Sequence, residues 1–179
     1  MSESMHTHNF EIISIDKHLH LRQMQREDVN DLFTLVDNNR EYLSKWLPWV
    51  DATKKPTDTA SFVSSTLEAR QNGSAYEYGI ILDGEVVGHI SLMHVTDEHT
   101  PEIGYWISSK ASGKGITTRA AQVISDFGFD VLHLEKIIIK AEPNNKASNK
   151  IAEKLGYNIE TTEIDERIGR VVNIWSKIS

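Results

Sequence analysis

The stretch from residue 102 to residue 141 constrains the fold more than any other. Residues Glu102 to Ser108 (EIGYWIS) suit a pleated surface, and Ser109 to Gly115 (SKASGKG) form a short glycine-containing loop. Ile116, Ala120, Ile124, Phe127 and Val131 then step by three and four, as one face of a helix does. Lys136 to Ala141 (KIIIKA) is a β-branched run that fits a strand buried on both faces, ended by Pro143-Asn144-Asn145. Strand, loop, helix and strand make a βαβ-like unit, and a crossover of that length joins parallel strands.

The flanking segments read differently. Residues His18 to Met24 alternate with period two, as a half-buried strand does. Val29, Leu32, Phe33 and Val36 lie on one helical stripe, and a second short helix follows with Tyr42, Leu43, Trp46 and Leu47 before Pro48. A third helical pattern, around Ala60, Phe62, Val63, Thr66 and Leu67, closes at Asn72-Gly73. Tyr76 to Leu82 and Val86 to Val95 flank Asp83-Gly84, a strong hairpin signal. After the crossover, Ala147 to Leu155 form a short helix stopped by Gly156, and Tyr157 to Thr162 pairs with Arg170 to Ile178 as a closing hairpin around Gly169. Hairpins on both sides of one crossover imply a single α/β (mixed α+β) domain, a central mixed sheet with flanking helices, over residues 11–179, preceded by a polar segment at residues 1–10.

At 179 residues, one domain with a full core is expected. The absence of cysteine excludes disulfide scaffolds, thiolate metal sites and cysteine nucleophiles. Lys and Arg number 19 against 26 Asp and Glu, a formal net charge of −7, which argues against nucleic-acid or membrane-surface partners and is compatible with cationic amines. No apolar leader or membrane span is present in the sequence, so a cytoplasmic protein is expected. The histidine pairs His6/His8 and His18/His20 carry no carboxylate pattern, so no metal site is expected.

The loop at Ser109 to Gly115 is the place for chemistry. A strand feeding a glycine loop at a helix start presents unpaired N–H groups and the positive end of the helix dipole, which suits a phosphate. Gly113 and Gly115 would let a pyrophosphate approach the backbone; Thr117 and Thr118 offer hydroxyls, and Lys110 and Lys114 positive charge. The spacing is neither that of a P-loop nor that of a Rossmann turn. On these residues alone, a tight connection and a phosphate cradle fit equally well.

Ile103 to Ile107, Lys110, and Gly113-Lys114-Gly115-Ile116 followed by Thr118 resemble the acetyl-CoA motif of GNAT N-acetyltransferases, Q/R-x-x-G-x-G/A, with Lys110 at its first position. Asn145-Lys146-Ala147-Ser148, then Ile151 and Glu153 to Tyr157, are similar to the family's second block, N-x-x-S followed by E-K-x-G-F/Y. Residues Leu43 to Trp49 (LSKWLPW) are similar to the L-x-x-W-L-P-W segment of the ribosomal-protein serine N-acetyltransferase branch. The resemblance covers Leu19 to Ile178 and implies a splayed sheet, in which the strand ending near Ile107 parts from the Lys136 to Ala141 strand and pantetheine adds to the freed edge as a strand would.

The resemblance also implies the reaction: direct transfer of acetyl from acetyl-CoA, with no metal, to a primary amine. The expected acceptor is the N-terminal α-amine of a ribosomal protein; a polyamine or aminoglycoside, or a silent acyl-CoA-binding module, are the alternatives. It implies cofactor contacts from Ile107, Lys110, Gly113, Lys114, Gly115, Ile116, Thr117, Thr118, Asn145 and Ser148. A backbone N–H near Ile107 would steady the oxyanion, Ser148 would protonate the departing thiolate, and Glu160 would take the amine proton through water. Tyr42, Trp46 and Trp49 would line the acceptor side, and the closing hairpin would pair subunits in a homodimer. As residues alone, Ser148 reads equally as a helix-start serine, Asn145 as a turn former, Glu160 as one of several solvated acids, and the aromatics as core.

Overall fold

The computed structural model describes residues 10–179. In chain order the elements are β1 (Ile12–Ser14), β2 (Leu19–Arg22), α1 (Val29–Asp37), α2 (Arg40–Ser44), α3 (Pro56–Gln71), β3 (Tyr76–Leu82), β4 (Glu85–Met93), β5 (Glu102–Ile107), α4 (Ile116–Asp126), β6 (Lys136–Ala141), α5 (Lys146–Lys154), β7 (Asn158–Asp165) and β8 (Arg170–Ile178). The eight strands form one sheet in the order β1-β2-β3-β4-β5-β6-β8-β7. Every neighbouring pair is antiparallel except β5 and β6, which the α4 crossover makes parallel.

That parallel pair is barely a pair. β4 and β5 match over six positions, whereas β5 and β6 match only at Glu102 and Ile138. The strands part from there toward their C-terminal ends, leaving the edge of β5 that faces β6 without a ladder partner up to Ile107. The splay is held open from both faces. α4 and α5, with Leu155 capping α5, bury Ala120, Ile124, Ala152 and Leu155 against Ile90, Leu92, Ile103, Ile137 and Ile139 on one side. On the other, α1 and α3 bury Leu32 and Val63 against Met24 and Ile81, with Trp106 packed beside them. Ile137, Ile138 and Ile139 are all buried, as the unbroken β-branched run of β6 requires.

Several boundaries differ from the sequence expectation, each for a local reason. α2 ends at Ser44, so Trp46 and Leu47 lie beyond it; Leu47 is extended (φ −119°, ψ 96°) because it precedes Pro48. The helix after the glycine loop is α-helical only to Asp126 and then widens into a π turn at Phe127–Val131. Gly128 sits in that turn so close to β6 that a Cβ there would lie 2.7 Å from Ile137 Cδ1. Strand β1 has no alternating pattern to announce it, and β4 stops at Met93, since His94 adopts φ 60°. β7 runs on to Asp165. Most of the polar 1–10 segment, with His6 and His8, lies outside the described residues. Phe10 packs edge-on against Phe127 at 5.0 Å, and its carbonyl accepts from Tyr78 Oη at 2.8 Å. No helix among the described residues is long and apolar enough to cross a membrane.

Candidate active site

The glycine loop and the splay meet at one end of the sheet. Ser108 starts a short 3-10 turn, and the chain then passes through Gly113 and Gly115, both at φ 74°, into α4. A left-handed conformation at two positions explains why glycine stands there. A Cβ at either would meet nothing within 4 Å, so both open onto free space. No backbone carbonyl among the described residues accepts from the N–H groups of Gly113, Lys114, Gly115 or Ile116. Unspent donors, a bare backbone and a helix start fit a diphosphate, with the exposed Lys110 and Lys114 beside it. Thr118 is half-buried at this surface, whereas Thr117 turns inward and is 8% exposed. Ile116 is buried and anchors the loop from below.

Across the splay, the start of α5 faces β5. Tyr105 Oη lies 3.0 Å from Ser148 Oγ and 3.1 Å from the Ser148 carbonyl. Burial pushes the Tyr105 phenol up to about 12, so it keeps its proton near neutrality. Asn145 caps α5: its Oδ1 accepts from Ser148 N at 3.3 Å. Its capping role is therefore visible. Asn149 ties this corner together, donating to the carbonyls of Glu142 and Asn145 while its Oδ1 accepts from Trp175 Nε1 at 2.8 Å and Asn173 Nδ2 at 3.0 Å.

At the mouth of the splay, two open grooves of about 540 and 680 Å³ meet along Lys45 and Trp46. The first runs past Asn39, Tyr42 and Ser109; the second past Glu142, Pro143 and Arg170. Asn39 Oδ1 accepts from Ser109 N at 3.1 Å, fastening the α1–α2 corner to the loop. Arg170 donates to Glu142 Oε2 at 3.0 Å and to the Lys45 carbonyl at 3.1 Å, bridging both banks of the second groove.

The site residues expected from sequence are thus brought together unevenly. Ile107, Gly113, Gly115, Asn145 and Ser148 border the splay, and Tyr42 and Trp46 line the groove. Trp49, 40% exposed, has its ring centroid 5.9 Å from that of Trp106. Glu160 sits at the bulge of the edge strand β7, exposed, its Oε1 2.6 Å from Lys136 Nζ. Lys136 is the first residue of β6, so the Glu160 carboxylate is engaged by that strand's start, while Ser148 is engaged by Tyr105. Tyr105, Asn149, Glu142, Asn39 and Arg170 are contributors that residue patterns did not single out; only Tyr105, an aromatic beside a glycine in the motif strand, carried a signal.

Residues 18–158 match the acetyltransferase (GNAT) domain family. The ribosomal-protein-serine acetyltransferase of Escherichia coli K12 is 28% identical over 151 residues, covering 84% of each chain. The spermidine N(1)-acetyltransferase of the same organism is 30% identical over 142 residues, covering 78% of this chain and 73% of its own. Among solved structures, RimL, a ribosomal L7/L12 α-N-protein acetyltransferase in complex with coenzyme A, superposes with a TM-score of 0.86 at 25% identity, covering 94% of this chain and 98% of its own.

Proposed function

The chain belongs to the GNAT acetyltransferase family, an acetyl-CoA-dependent N-acetyltransferase, and from that premise we propose that it acetylates the N-terminal α-amine of a protein, a ribosomal protein being the first acceptor to test. The observation that carries the acceptor reading is the pair of open grooves joined at Lys45 and Trp46. Small amines are held in pockets that enclose most of their surface; an open trough leading to the splay accommodates the end of a polypeptide.

Acetyl-CoA supplies the activated acetyl thioester. The unspent N–H groups from Gly113 to Ile116 hold its diphosphate, and the unpaired edge of β5 aligns its pantetheine arm. A backbone N–H near Ile107 faces the developing oxyanion. Ser148 Oγ–H, 3.0 Å from Tyr105 Oη, gives its proton to the departing thiolate, and the proton released by the attacking amine returns through water to refill the Ser148–Tyr105 pair.

The amine needs little help to lose its own proton. An α-amine with pKa about 7.7–8.0 is roughly 10–15% neutral at pH 7, whereas a lysine amine is below about 0.1%. Glu160 takes up that proton only through water and only when its pair with Lys136 opens, so its part in the rate is minor.

The relative active on spermidine supports a second reading, a polyamine acceptor. One panel decides: ribosomal proteins, N-terminal peptides, spermidine and an aminoglycoside are incubated with acetyl-CoA, and products are located by fragmentation mass spectrometry. Acetyl on residue 1 of a polypeptide is expected; acetyl on spermidine alone, or on lysine side chains alone, overturns the α-amine reading.

A further inference from the structure

The loop between β4 and β5 carries three side chains that acetyl transfer leaves unused. His94 Nδ1 lies 2.7 Å from one carboxylate oxygen of Asp97, and His99 Nδ1 lies 3.2 Å from the other. A ligand atom from each residue falls within 4.8 Å of the other two, and the two imidazole rings are 4.9 Å apart. The backbone fixes this arrangement: His99 N donates to Asp97 Oδ1 at 2.8 Å, and His94 turns the chain with φ 60°.

We propose that His94, Asp97 and His99 form a binding site for a divalent transition-metal ion, Zn²⁺ by its ligand set, separate from the acetyl-transfer centre. Two imidazole nitrogens and one carboxylate are a borderline donor set that hard Mg²⁺ and Ca²⁺ do not favour. Zinc bonds to nitrogen and oxygen are about 2.0–2.2 Å, which spaces tetrahedral ligand atoms about 3.4 Å apart. The present ligand atoms lie between 2.7 Å and 4.8 Å from one another, so rotation of these side chains must bring them to that spacing around the ion. Water completes the coordination, since Asp97 and His99 are exposed. β5 spans six residues at about 3.3 Å each, which puts the ion about 20 Å from the glycine loop. It takes no direct part in the transfer.

Coordination through Nδ1 has a consequence for Arg167. Each ring must then carry its proton on Nε2, and any displaced Nδ1 proton leaves to solvent. His94 Nε2 now lies 3.3 Å from Arg167 NH1, a donor it can accept from only when unprotonated. Arg167 also donates to Glu102 Oε1 at 3.3 Å and Asp165 Oδ2 at 3.5 Å. Metal binding turns the guanidinium wholly onto those two carboxylates, linking the ion to the β7–β8 turn.

The test is calorimetric titration of ZnCl₂ into the full chain carrying His6→Ala and His8→Ala, which removes the terminal histidine pair as a competing ligand. One site is expected, weakened at least about tenfold by His99→Ala and by Asp97→Asn, with circular dichroism showing that both variants fold. Co²⁺ in place of Zn²⁺ should give visible d–d absorption that the His94→Ala, His99→Ala double variant loses. Arg167→Gln should bind zinc no more weakly than its parent; weaker binding contradicts Nδ1 coordination. Zinc affinity that survives in the double variant, or that Asp97→Asn leaves unchanged, overturns the proposal.

Discussion

Ser148 and Tyr105 meet across 43 residues of sequence. Their meeting could not be read along the chain. Ser148 stands at a fixed offset from Asn145 within one helix start, a pattern that can be read along the chain. Tyr105 becomes its partner only once β5 and α5 pack on the same side of the splay. If the pair relays the thiolate's proton, Ser148→Ala lowers kcat by about 10²-fold and Tyr105→Phe by about tenfold, with KM for acetyl-CoA little changed. Steady-state thiol release measures both. Burial raises Tyr105 above its ordinary value to about 12. The stability from its neutral phenol is therefore intact below pH 10 and lost only as pH climbs toward 12, so no ionisation of Tyr105 should shape kcat between pH 6 and 10. Glu160, held by Lys136, is expected to matter less: Glu160→Gln should lower kcat/KM by under about threefold, and a loss near 10²-fold would restore it as the principal base. Its position just after Gly156-Tyr157 was readable; its salt bridge to another strand was not.

At the scale of elements, the strands and helices of the crossover were legible because each has a strong period or an unbroken β-branched run. What was not legible came from contacts between elements. The π turn after α4 holds Gly128 too close to Ile137 to admit a Cβ, and the extended Leu47 beyond α2 follows from Pro48. The glycine loop yields a direct prediction. Gly115 at φ 74° has open space beside it, so Gly115→Ala adds strain of about 1 kcal/mol without a clash in the free protein. The added methyl would instead stand where the diphosphate approaches. A modest fall in melting temperature should accompany a rise of about tenfold or more in the acetyl-CoA dissociation constant, measured by calorimetry.

The packing of α3 on the sheet has its own pH signature. His89 on β4 is 3% exposed, edge-on to Phe62 of α3 at 5.4 Å and stacked on Trp106. Burial lowers its imidazole from 6.5 to about 4. The folded state therefore binds this proton less readily than the unfolded chain, so the stability it contributes is present above pH 6.5 and lost as pH falls toward 4. Complete loss amounts to about 3 kcal/mol. His89→Leu should flatten the pH dependence of the unfolding free energy over that interval by a comparable amount, as followed by denaturant titration.

For the whole molecule, one splayed sheet unites two surfaces made from distant stretches of chain. The cradle is nearly local, a loop and the helix it feeds, and its motif could be read from sequence. The groove proposed for the acceptor is not local: Arg170 reaches the Lys45 carbonyl across 125 residues, and Glu142 joins them from the end of β6. Trp49 meets the Trp106 ring while keeping 40% of its own surface exposed. The formal charge of −7 suits a cationic acceptor without choosing one, whereas the open groove favours a chain terminus. The most direct measurement compares two peptides of one sequence, the first with a free α-amine and acetylated lysine, the second with an acetylated N-terminus and free lysine. At pH 7, kcat/KM for the first should exceed that for the second by about 10²-fold or more. Equal rates, or preference for the lysine peptide, would contradict acetylation of the α-amine.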